Sequence, residues 1–248
     1  MYQLSLSAGA EFSPWVYALE RKLKDKFAGQ ALIITRNELR RVYLAVACDN
    51  CSKKTISENL KDALVDIYSS DAKLHYYKEN LILPGLASDK HNILLAALVE
   101  FDAAADKVLI RNTVNVEDGL NIDGVYNFAF KDIKSRWKEI GDLTKENAAY
   151  LSDNEIFFEL IKYLFSAISP KVEKALCVFD GEKYLLYEKD SNLPVKIAYS
   201  EEELICSLIF IAPICLEVRG SLDRELLLKL EDIFKPIDKL AASTLLKS

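Results

Sequence analysis

The chain has 248 residues, half of them apolar and 28% charged, with a net charge of −6. That length holds one large core or two modest ones, and neither half is net basic, which weighs against nucleic-acid binding because affinity there comes from neutralising phosphates. Five cysteines, an odd number, and no basic-then-apolar leader in "MYQLSLSAGAEF" predict a cytoplasmic, reducing setting rather than a disulfide framework.

"YQLSLS" alternates as a half-buried strand does. Ser13 reads as an N-cap with Pro14 at the first helical position, and Phe12 and Tyr17 are spaced for a hydrophobic staple. Phe12, Val16, Leu19, Leu23 and Phe27 form that helix's apolar stripe, with Gly29 as its stop. "ALIIT" and "RVYLAVAC" flank "RNEL" as a short hairpin. Residues 52–110 turn helical, with Thr55 and Glu58 spaced as a capping box ahead of Ile56, Leu60, Leu64 and Ile67. After "LPGLAS" a second stripe runs through Ile93, Leu94, Ala97, Leu98 and Phe101. The polar stretch "RNTVNVEDGLNIDG" has no apolar periodicity and predicts a boundary within residues 111–124.

Beyond it, Phe130, Ile133, Trp137 and Ile140 give one helix face. Ser152 and Glu155 suggest the cap of another helix, carrying Ile156, Phe157, Leu160, Ile161 and Leu164. "KALCVFD" and "KYLLYEK" surround Asp180-Gly181, a hairpin signal, and a further strand fits near residues 193–198. Ser200 with Glu203 caps a helix that ends before Pro213. The apolar run 204–216 contains that proline and falls short of the ~20 residues a bilayer-spanning helix needs. A strand "ICLEV" and a Leu-rich helix from Asp223 to Phe234 close the pattern. The expected class is α+β. A β-α-β-β segment plus helices fills residues 1–115, and helices followed by a β-β-α-β-α unit fill 116–248, as two parts or one continuous domain.

Three motifs of the second half resemble the YtxC-like sporulation proteins: "IDGVYNFAFKDI", "NEIFFELIKYLFSAISPKVEKALCVF" and "YSEEELICSLIFIAPICLEVR", followed by a closing helix at Leu226 to Phe234. The likeness covers roughly residues 120–235. It departs at Ala129, which stands between Phe128 and Phe130 where the family pattern carries Arg. The resemblance implies a sporulation-linked protein of endospore-forming bacteria and implies no particular reaction.

For the segment 121–140 the simplest reading is structural. Asp123 caps, Gly124 turns, and Phe128, Phe130, Trp137 and Ile140 are core, while Asn127, Lys131, Lys134 and Lys138 form a solvated basic stripe. A recognition reading has Asn121, Asp123, Asn127 and Lys131 bordering a protein-binding groove, with Gly124 allowing close backbone approach. "CDNC", Cys48 to Cys51, lies between a strand and a helix, as a thiol–disulfide site would. No Trp or Gly-Pro accompanies it, and the second ligand pair of a zinc site is missing. "KLHYYKEN" interleaves basic and aromatic residues, as a nucleic-acid surface or a helix edge does. Phosphate-loop, dinucleotide, metalloprotease and nucleophile-elbow motifs are absent, and eight glycines leave little for a phosphate cradle. The expectation is a binding module with a protein partner and no cofactor, with thiol–disulfide or metal chemistry at Cys48/Cys51 and weak nucleic-acid binding as alternatives.

Overall fold

The computed structural model describes residues 2–188, 191–234 and 237–239. They form an α+β fold with two mixed sheets. The chain divides into two compact units, Met1–Leu81 with Ala103–Asp142, and Ile82–Asp102 with Leu143–Ser248. Residues 111–124, expected as the boundary, lie inside the first unit.

In the first unit the sheet order is β2 (Leu32–Glu38), β3 (Arg41–Cys48), β1 (Tyr2–Gly9) and β4 (Leu120–Asn121). Alternation puts Leu4, Leu6 and Ala8 of β1 opposite Val46, Leu44 and Val42 of β3, all buried. Trp15, Val16, Leu19, Leu23 and Phe27 of the Ser13–Phe27 helix, with Ile56, Leu60 and Leu64 of Lys53–Ile67, complete that core. Each large apolar side chain so buried is worth roughly 1.5–3 kcal/mol.

The polar stretch before β4 supplies edge pairing, which is why it is not a linker. Asp118 Oδ1 accepts from the amide and hydroxyl of Ser5, at 2.8 and 2.7 Å, and the Gly119 amide donates to the Ser5 carbonyl. Two helix starts differ from expectation. Ser52, not Thr55, caps the Lys53–Ile67 helix, accepting from the Thr55 amide. A 3-10 turn, Ala10–Phe12, feeds the first helix, so Ser13 is already helical and makes no cap bond. Tyr17 is exposed and donates to Asn37 Oδ1, so no staple forms with Phe12.

In the second unit the order is β7 (Lys196–Ala198), β6 (Tyr184–Glu188), β5 (Val172–Phe179), β8 (Pro213–Arg219) and β9 (Ile237–Lys239). β5 to β7 are antiparallel, and β8 joins β5 in parallel through the Glu201–Ile211 helix. Asp180 Oδ1 accepts from the Glu182 and Lys183 amides, and Gly181 takes φ +101°, making the predicted hairpin. Ser200 caps its helix as expected, accepting from the Glu203 amide. Asp153, rather than Ser152, caps Asn154–Ser166. The Ser88–Phe101 helix is buried along the whole of Ile93–Glu100, packed on Glu201–Ile211 and Asn154–Ser166. Its Glu100 pairs with Lys171 at 2.7 Å.

Candidate functional site

Asp123 sits at the end of the β1–β3 ladder. Gly9 and Arg41 face each other across those strands, and both donate to Asp123 Oδ1, at 3.0 and 3.2 Å. Arg41 also donates to Asn121 Oδ1 and Ser7 Oγ, each at 3.0 Å. Asn121 Oδ1 accepts from the Gly124 amide and so caps the single helical turn Ile122–Gly124. Asn121, Asp123 and Gly124 are therefore brought together as an anchor on the sheet. Gly124 is helical at φ −63°, so the turn makes no use of glycine's freedom. A Cβ there would meet Asn121 Cγ at 3.1 Å.

A π-helical segment, Val125–Ala129, follows. It turns Tyr126 and Phe130 inward, while Phe128 is 77% exposed. This corrects the expectation that Phe128 is core. Phe128 and Trp137 are nine residues apart, about 180° around an α-helix, and the π segment breaks the α register before Phe130. Phe130, Ile133 and Trp137, at helical spacing, are buried as expected, whereas Ile140 is half-buried. Asn127 and Lys131 are exposed beside Phe128.

Beneath this surface lies an aromatic cluster that sequence reading missed, because its members come from four separated segments. Tyr126 packs edge-on against Trp15 at 5.1 Å and near Phe12, and Tyr68 donates to the Ile122 carbonyl and packs on Phe130. His75 lies 5.6 Å from both Phe12 and Trp15, with Nε2 3.3 Å from Glu79. Lys134 Nζ sits 3.5 Å from the Tyr126 ring centre, so it belongs to this cluster and not to a fully solvated stripe. Burial lowers its pKa, against the opposing charge of Glu79. Burial also raises the Tyr126 phenol's pKa.

"KLHYYKEN" is a partly exposed helix edge, with Lys78, Glu79 and Asn80 exposed. Lys73 and Tyr77 are buried, and Lys73 pairs with the equally buried Asp106, which also accepts from Trp137 Nε1 at 2.9 Å. In the second unit a groove of about 630 Å³ between the Asn154–Ser166 and Arg224–Ile233 helices has Phe158 and Leu228 among five carboxylates, a poor match for phosphates.

Cys48 and Cys51 are joined by a disulfide, with Cα atoms 5.5 Å apart. One local pair is not a disulfide framework: a three-residue separation at a strand end brings the two sulfurs together whatever the cysteine total. Among the described residues no three His, Cys, Asp or Glu side chains gather as a metal site. No described helix is long and apolar enough to cross a membrane. Comparison with protein-family models, with curated proteins and with solved structures found no match.

Proposed function

We propose that the chain is a cytoplasmic, non-catalytic protein-binding module linked to sporulation, and that it presents the Asn127–Lys131 turn to its partner. The observation that supports this is Phe128, 77% exposed on a backbone that the Asp123–Gly9 and Asp123–Arg41 bonds fix from below. A large apolar side chain held out on a rigid support loses little conformational entropy on docking, and aromatic anchors dominate interface energetics. Asn127 and Lys131 flank it, which suits a partner offering an apolar pocket with an acidic rim. The sporulation link rests on the resemblance of residues 120–235 to the YtxC-like proteins.

The test is complementation in a spore-forming host deleted for its YtxC-like gene, first with the wild-type chain and then with two variants. The wild type should restore sporulation. Phe128→Ala and the double variant Asn127→Ala/Lys131→Glu should fold with unchanged melting temperature and fail to restore it. Wild-type levels of sporulation from both variants would remove this surface as the binding site.

A further inference from the structure

The two sulfurs of the Cys48–Cys51 disulfide differ in access and surroundings. Cys48 is the last residue of β3, paired with Tyr2, and only 2% exposed. Its Sγ lies 3.3 Å from the Gln30 carbonyl oxygen. Cys51 is half-buried and directly precedes Ser52, the N-cap of the 15-residue Lys53–Ile67 helix. That helix has Lys53 and Lys54 in its first turn and no acidic residue there. Lys53 Nζ lies over the Tyr2 ring and Lys54 pairs with Glu58, so it is the helix's amide end that favours a thiolate at Cys51, with Asp49 of the loop opposing it.

We propose that Cys48–Cys51 is an exchangeable thiol–disulfide pair whose redox partner is a small thiol of the glutathione class, with Cys51 as the exchanging sulfur and Cys48 as the leaving one. The proposal is independent of the binding surface at Phe128. A thiolate of the reductant attacks Cys51 Sγ and forms a mixed disulfide there. The Cys48–Cys51 bond breaks, and its electron pair goes to Cys48 Sγ. That sulfur takes up the proton which the reductant's thiol released, and as a thiol it donates to the Gln30 carbonyl. A second reductant thiolate attacks the reductant's sulfur in the mixed disulfide and expels Cys51 as a thiolate. Two reductant thiols become one disulfide, the protein's disulfide becomes two thiols, and the reverse sequence reoxidises the pair. Attack at Cys51 rather than Cys48 follows from access, since exchange needs an approach in line with the breaking bond and the chain covers Cys48.

The experiment equilibrates the full chain in glutathione buffers from fully reduced to mostly oxidised, then quenches with acid, alkylates and maps peptides by mass. The segment carrying Cys48 and Cys51 should pass from two alkylated cysteines to the internal disulfide within the buffer range. Quenching partway through reduction should catch glutathione on Cys51 and not on Cys48. Cys48→Ser should hold glutathione on Cys51 stably, whereas Cys51→Ser should leave Cys48 unmodified. Two free thiols at every ratio, a disulfide that survives excess dithiol, or glutathione found on Cys48 would each overturn the proposal. The wild-type quench decides the matter even where a serine variant fails to fold.

Discussion

The Lys73 ammonium and the Asp106 carboxylate lie 2.8 Å apart with both side chains wholly shielded from solvent. Asp106 also accepts from Trp137, so one buried carboxylate ties together three helices of the first unit. A buried pair of this kind is a weak source of net stability, because desolvation offsets the attraction, yet losing one partner strands a charge. Asp106→Ala should therefore cost about 3–5 kcal/mol in urea unfolding followed by tryptophan fluorescence. Lys73→Met combined with Asp106→Leu should recover most of that loss. A double variant as unstable as the single one would show that packing or the Trp137 indole deprived of its acceptor, not the Lys73 charge, sets the cost.

Phe128 and Phe130 make a paired test of which face of this segment is buried. Phe130 is fully buried against Tyr68, and Phe130→Ala should lower stability by about 3–5 kcal/mol. Phe128→Ala removes an exposed ring and should change stability by less than about 0.5 kcal/mol. Equal losses by chemical denaturation would place Phe128 in a core.

The contrast shows what a sequence discloses here. Elements built from local signals were legible: the Asp180-Gly181 hairpin, the Ser200 cap and the β1–β3 alternation each follow from residues within one element. Phe128 was misplaced because its spacing of nine to Trp137 is not a helical one, whereas the buried face runs through Tyr126, Phe130, Ile133 and Trp137. The Ile82–Asp102 segment belongs to the second unit although it precedes residues of the first. Its helix is apolar nearly all round, so its pattern announces burial without saying against what. The Asp123 anchor was half legible. The expected cap, Asp123, is not the cap: Asn121 caps the turn and Asp123 accepts instead from Gly9 and Arg41, which lie more than 80 residues away in sequence.

Asp66 gives a pH dependence. Burial alone would raise its pKa, but the hydrogen bond and charge of Lys107 at 2.8 Å and the charge of Lys22 at 3.5 Å outweigh that and hold it below the ordinary carboxylate value. A folded-state pKa below the unfolded one means the native state binds fewer protons. The contribution is thus complete above an unfolded value of about 4 and is lost as pH falls through the lower folded value. Wild type should exceed Asp66→Asn in stability at neutral pH, and the gap should close on acidification below about pH 4. Guanidinium unfolding of both chains across this range checks it, and a gap independent of pH would assign the difference to packing.

Asp180 and Asp123 both accept from backbone amides, but only Asp123 joins separate strands to the following turn. Asp123→Ala removes the acceptor shared by Gly9 and Arg41, a backbone bond and a charge-assisted one, and should cost about 1.5–3 kcal/mol. Arg41 keeps Ser7 and Asn121 as acceptors, which limits the loss. Gly124→Ala works on the same anchor by another route. Its φ suits alanine, and helix propensity favours the change by up to about 1 kcal/mol. The new Cβ, 3.1 Å from Asn121 Cγ, opposes it by pushing on the cap. The two effects are of similar size, so Gly124→Ala should stay within about 1 kcal/mol of wild type by thermal unfolding. A collapse of the fold in Gly124→Ala would mean that the close contact with Asn121 has no room to relax. Unchanged stability in Asp123→Ala would mean that the strand ends hold without the anchor.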